Sequence, residues 1–178
     1  MRPTTDFDAS RLTRSLLRRS RQGALATLMA GSGDPYCSLV NVASHADGSP
    51  ILLISRLALH TKNILADNRV SLVLDERAAG DPLEGARIML AGRAEEASGD
   101  LAVTLRRRYL SAHPSAEAFV DFKDFSFFRI VPSGAHLVAG FGRIIDLMPA
   151  QFLTDISDAG ELLEAEPGAV EHMNEDHR

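Results

Sequence analysis

Along most of this chain apolar residues recur at every second position in short runs, the spacing of strands, and only a few stretches switch to helical spacing. Leu12, Leu16 and Leu17 share one side of a helix predicted over residues 10–21, with Arg11, Arg14, Arg18, Arg19 and Arg21 on the other. Residues 24–30 follow as an apolar strand and 31–35 as a turn. From 36 to 45 the pattern alternates, with Cys37, Leu39, Asn41 and Ala43 on one face and Ser38, Val40, Val42 and Ser44 on the other. Asp47-Gly48 offers the left-handed backbone of a tight turn, which predicts a hairpin with residues 51–55. That returning strand is almost wholly apolar, so both of its faces should be covered. His60-Thr61-Lys62-Asn63 then opens a short helix, with Thr61 as its cap, that ends near Asn68 and leads into a third strand ending by Glu76.

The second half repeats the mixture. Residues 78–85 form a loop and 86–97 a long strand, with Arg87, Met89, Ala91, Arg93 and Glu95 on one face and a bulge or bend at Gly92. The spacing of Leu101, Leu105 and Tyr109 predicts a helix over 100–112, and Pro114 opens a shorter one to about Val120. An aromatic-rich strand over 124–131, a turn at 132–134 and two strand segments broken at Gly140-Phe141-Gly142 complete the pattern. Seven or eight short strands with a few helices predict a mainly β, α+β fold. A small barrel is the economical closure, because it removes exposed edges.

Composition narrows the function classes. The 178 residues suit one domain with a real core, and 45% hydrophobic with 24% charged residues is ordinary for a globular protein. A net charge of −5 argues against general nucleic-acid binding, so the arginines of the first helix and Arg106-Arg107-Arg108 read as solvated faces. No apolar run is long enough to cross a bilayer, and the opening MRPTTDFD does not read as a signal peptide. The single cysteine, Cys37, precludes an internal disulfide and suits a reducing cytoplasm. Its place in a strand favours packing over nucleophilic chemistry.

Candidate chemistry gathers at the helix near residue 60. The open N–H groups of a first helical turn, flanked by Ser55, Arg56, His60 and Lys62, suit a phosphate. The plainer reading is a solvated helix start, with His60 bonded to a backbone carbonyl.

The run SRLALHTKNILADNRVSLVLDE resembles the phosphate-binding segment of the pyridoxamine 5′-phosphate oxidase-like FMN-binding split barrels, and its L-A-x-H-T-x-N form resembles the HugZ-like haem-utilisation branch. AGRAEEAS, residues 91–98, is similar to that family's Gly-Arg-Ala strand, and LVAGFGRIIDL, residues 137–147, to its Gly-Phe-Gly strand. The final EHMNEDHR resembles the opening of a small domain that often follows the barrel. The resemblance implies a six- to eight-stranded split β-barrel with flanking helices over residues 1–148. Residues 149–178 would be a linker and the start of a truncated helical domain. It also implies a homodimer with FMN between subunits and redox chemistry at the flavin, as in an FMN-dependent oxidoreductase. The ring would lie along Ser38, Val40 and Asn41, and the phosphate near Ser55, Arg56, His60, Thr61, Lys62 and Asn63. Pyridoxamine phosphate is not an expected substrate, because that enzyme's substrate-binding C-terminal segment has no match here.

One departure opens alternatives. Where many FMN-binding members place Arg-Lys, this chain has Leu59-His60, losing the strongest charge-assisted bonds to a phosphate. Haem is the alternative cofactor, with His172 or His177 as its histidine ligand by resemblance to HugZ-like members. At about 100° per residue these two lie about 140° apart on a helix, so they do not chelate one ion together. A non-catalytic regulatory protein that keeps the barrel is the third reading.

Overall fold

The computed structural model describes residues 7–76, 83–140, 142–160, 162, 165–166 and 168. Helix α1 (Ala9–Arg19) starts where the Asp8 carboxylate accepts the Arg11 amide at 2.9 Å, an N-cap that satisfies one orphan donor of the first turn. Leu16 and Leu17 are buried as their spacing requires. The opposite face is more than a solvated stripe. Arg14 donates to the Gln151 carbonyl at 3.2 Å, and Arg18 to the Ala46 carbonyl at 3.2 Å and the Thr154 hydroxyl at 2.9 Å.

The strands are β1 (Gln22–Leu28), β2 (Pro35–Asn41), β3 (Ala43–Ser44), β4 (Pro50–Ser55), β5 (Arg69–Asp75), β6 (Ala86–Glu96), β7 (Phe125–Ala139) and β8 (Ile144–Leu147). Among the described residues they form one antiparallel sheet ordered β2-β1-β5-β6-β7-β4-β3, with β8 paired to β7. The two end strands, β2 and β3, are consecutive in the chain and separated by Val42 alone. One residue cannot span a flat sheet of this width, since a residue reaches at most about 3.6 Å and neighbouring strands lie about 4.8 Å apart. The sheet therefore curls until its ends meet, which is the split-barrel architecture expected.

That closure corrects the hairpin reading of residues 36–45. Most of that run pairs with β1, and only Ala43 and Ser44 pair with β4. The turn itself is as expected: Gly48 has φ +98, a conformation open to glycine at little cost. β4 is buried on both faces, Leu52 and Ile54 toward the barrel interior and Ile51 and Leu53 toward a second cluster. Helix α3 (Gly99–Ala112) and a 3-10 turn (Pro114–Ala118) supply Leu105, Tyr109 and Ala116 to that cluster. Burial pushes the Tyr109 phenol up to about 12, so it stays neutral against Phe127 and His113. The arginine triplet on α3 is ion-paired, with Arg106 and Arg107 at the surface as expected: Arg106 with Asp121 at 2.9 Å, Arg107 with Glu166 at 2.8 Å, and Arg108 with Glu166 and the Ser44 carbonyl.

The turn expected at residues 132–134 does not form, and β7 runs straight through it. The register shifts between Ala91 and Gly92, so that Gly92 faces Pro132, Ala91 faces Gly134, and Ser133 is the extra residue of a bulge. A proline is tolerated there because a bulge does not require its missing N–H. A Cβ on Gly92 would run into the Val131 carbonyl and lie 3.1 Å from Pro132 Cα, so the bulge demands glycine. The stretch from residue 149, expected to begin as a linker, is partly ordered into the core. It starts with a helical turn, α4 (Pro149–Phe152), whose Phe152 is fully buried in the barrel core. Among the described residues, no helix is long and apolar enough to cross a membrane.

Candidate functional site

Helix α2 (Leu59–Ala66) packs against β1 and β2. Its N-cap is the extended Ala58 and not Thr61, and no side chain caps it. The Lys62 amide is the first to close, on the Ala58 carbonyl at 3.2 Å, which leaves the amides of Leu59, His60 and Thr61 without an acceptor inside the helix.

Of the residues expected around a cofactor, Ser38 and His60 come together, with 3.1 Å between the Ser38 hydroxyl and His60 Nδ1. His60 Nε2 is buried and unpartnered. Burial lowers the His60 pKa from its ordinary 6.5, so the imidazole adds no positive charge at neutral pH. Ser55 donates to Asp124 Oδ2 at 2.5 Å, setting a carboxylate beside the expected phosphate seat. Arg56 is taken up by Glu96. Val40, Thr61 and Asn63 turn inward. Asn63 donates to the Thr27 hydroxyl at 3.0 Å and accepts the Ala30 amide at 3.2 Å, so its amide staples α2 to β1 and the turn after it. The Thr61 hydroxyl is buried without a partner. Asn41 and Lys62 are exposed. β2 is an end strand, and so keeps one row of backbone groups unpaired by the sheet. His172 and His177 lie outside the described residues.

A second locus lies on the outer face of the sheet. The register aligns Leu39, Ala24, Val73, Met89, His136 and Asp146 in one lateral row across β2, β1, β5, β6, β7 and β8. Leu39, Val73 and Met89 are 69%, 41% and 36% exposed, which makes the row an apolar band that none of the described residues covers. Cys37, expected to pack, sits exposed on the same side of β2. At the far end of the band, His136 Nδ1 lies 2.6 Å from Asp146 Oδ1. A cavity of about 340 Å³ opens beside this pair, lined in part by Met89, Ala91, Leu147 and Met148.

Sequence reasoning passed over His136 and Asp146. They are ten residues apart, and only the register of the β7–β8 hairpin makes them cross-strand partners.

A family model described as "CREG, beta-barrel" matches residues 4–153. The chloroplast non-canonical haem oxygenase HOZ of Arabidopsis thaliana is 38% identical over 170 residues, covering 92% of this chain and 51% of that protein. The chain thus spans about half the length of the curated relative it matches. A haem-binding protein of Mycobacterium smegmatis superposes with a TM-score of 0.74 at 33% identity, over 79% of this chain and 57% of that one. A protein of unknown function from Agrobacterium tumefaciens superposes with a TM-score of 0.82 at 33% identity, over 94% and 70% of the two chains.

Proposed function

Starting from a chain that belongs to the CREG β-barrel family, we propose a haem-binding split-barrel protein of the haem-utilisation kind, acting as a homodimer. The relatives named for haem support the cofactor. The observation that carries the reading is the electrostatics at α2. A flavin phosphate carries close to two negative charges. It would meet the Asp124 carboxylate on Ser55, a neutral His60, an Arg56 already paired with Glu96, and the exposed Lys62. Haem carries its two propionate charges at one edge of the macrocycle, where solvent can hold them, and its remaining face is apolar, which the exposed band of Leu39, Val73 and Met89 matches.

An FMN-binding, pyridoxamine 5′-phosphate oxidase-like flavoprotein is the second reading. The open first-turn amides of α2 and the unpartnered Thr61 hydroxyl favour it.

Haem, when bound, supplies redox and oxygen chemistry, while the chain supplies position and shelter from water. Purified protein titrated with hemin is expected to show an intense Soret band at saturation. Titration with FMN is expected to leave the flavin spectrum and fluorescence of the free cofactor. Lys62→Ala with His60→Ala should leave hemin affinity unchanged. Tight FMN binding lost in that double variant, without hemin uptake, would reverse the assignment.

The exposed band supports the homodimer, in which a second copy would cover Leu39, Val73 and Met89 and bring the cofactor to the subunit boundary. Sedimentation equilibrium should give a dimer, and Val73→Arg, which places a charge mid-band, should give a folded monomer. A wild-type chain that sediments as a monomer at tens of micromolar removes this part of the reading.

A further inference from the structure

We infer that α3 is a docking face for a later stretch of this same chain, residues 169–178, which lie outside the described residues. A clasp brings that stretch to α3. The Glu166 carboxylate takes Arg107 at 2.8 Å through one oxygen and Arg108 through the other. Arg108 also donates its Nε to the Ser44 carbonyl at 3.0 Å, and its side chain is only 18% exposed. A carboxylate shared by two guanidiniums, one of them held from behind and largely out of solvent, is stronger than an isolated surface pair.

Beside the clasp, α3 keeps apolar side chains at the surface. Val103 stands one turn before Arg107 on the same side of the helix and is 69% exposed, and Leu101 is 38% exposed. The following sequence matches this face in charge and in pattern. Between Asp155 and His177 it carries eight acidic residues and no lysine or arginine, opposite in sign to the α3 triplet. Ala165, Glu166 and Gly168 are already helical. Continued at that spacing, Val170 and Met173 share one side. Val170 is four residues after Glu166, as Val103 is four before Arg107. A helix antiparallel to α3 therefore sets Val170 level with Val103, about 6 Å along the axis from the clasp, and carries Met173 on toward Leu101. A foreign acidic segment would meet arginines already holding Glu166, whereas the chain's own continuation is delivered by that same bond as a tethered ligand. The inference is independent of which cofactor binds.

Hydrogen exchange of the full chain, read over residues 169–178, tests the contact. Wild type should exchange there about 10-fold more slowly than an unstructured peptide, at low and high protein concentration alike. Val103→Asp and Glu166→Gln should each lose most of that protection. Circular dichroism and the denaturation midpoint of the barrel should hold in both, since neither side chain lies in the core. In a Cys37→Ser background, Val103→Cys with Val170→Cys should close a disulfide within one chain, whereas Leu65→Cys on α2 with Val170→Cys should not. Free exchange over 169–178 in wild type, or protection untouched by either substitution, overturns the proposal. Protection or a crosslink between chains that appears only at high concentration gives the face to a second copy and overturns it too.

Discussion

Asp47→Ala is expected to cost about 2–4 kcal/mol of folding stability, because it strips buried donors on His45 and Ser49 and the partly buried Arg129 guanidinium of their acceptor. Asp47 is buried in the turn between β3 and β4, and each of its oxygens is used. Oδ1 accepts from His45 Nδ1 at 2.9 Å, the Ser49 amide at 2.8 Å and the Ser49 hydroxyl at 2.6 Å, while Oδ2 accepts from Arg129 at 2.5 Å. Arg129 also donates to the Ser49 hydroxyl at 2.8 Å, so β7 is tied to the turn at two points. The Asp47 carbonyl accepts the Thr154 amide at 2.8 Å, which ties the segment after α4 to the same turn.

Burial alone would raise the Asp47 pKa. The hydrogen bonds from His45 and Ser49 and the Arg129 charge outweigh it and hold the carboxyl well below its usual 3.8. A group depressed in the native state stabilises fully above its unfolded pKa and loses that contribution as pH falls through the native one. Urea unfolding of wild type and variant should therefore show the full gap at pH 7, narrowing below about pH 4. His60, also depressed, weakens both proteins alike as pH drops below 6.5 and cancels in the difference. A gap under about 1 kcal/mol at pH 7 would mean that backbone bonds alone hold the turn.

Local features of the fold were legible in the sequence, because local chemistry decides them. The leucine spacing of α1 sets its buried side, the all-apolar run of β4 requires cover on both faces, and Gly92 marks where β6 meets the bulge of β7. Pairing partners were not legible. Residues 36–45 have one continuous alternation, yet the chain changes neighbours at Val42, where barrel closure bends it and its amide turns to the Arg21 carbonyl at 2.9 Å. Pro132 reads locally as a turn, and only the strand opposite, with Gly92 at the bulge, makes room for it in β7.

The same division runs through the site. The helix near residue 60 was found from its polar start, but burial of Thr61 and Asn63, the pairing of Arg56 with Glu96, and Asp124 beside Ser55 are tertiary facts. His136 and Asp146 lie in segments read as strands without a register, and a one-residue slip would place them on opposite faces. Knowing the length of the Gly140–Gly142 turn would have exposed the pair.

Phe152→Ala should be the other large loss, about 3–5 kcal/mol, the range for emptying a fully buried aromatic site. The stretch after residue 148 is expected as a linker, and Phe152 is its lone aromatic. Its side chain is fully buried within the cluster that holds Leu16, Leu17, Leu25 and Leu137, so α4 plugs the barrel on the side α1 covers. Three polar ties keep it there: Arg14 to the Gln151 carbonyl, Arg18 to the Thr154 hydroxyl, and the Thr154 amide to the Asp47 carbonyl. Those ties resist collapse of the segment into the void, which argues for the upper part of the range. Phe152→Leu, which fills much of the space, should recover more than half of the loss. Chemical denaturation of the two variants, with fold checked by circular dichroism, separates cavity from tether. Equal losses in both would place the stability in the shape of the ring. Losses under about 1 kcal/mol in both would mean the barrel closes without its plug.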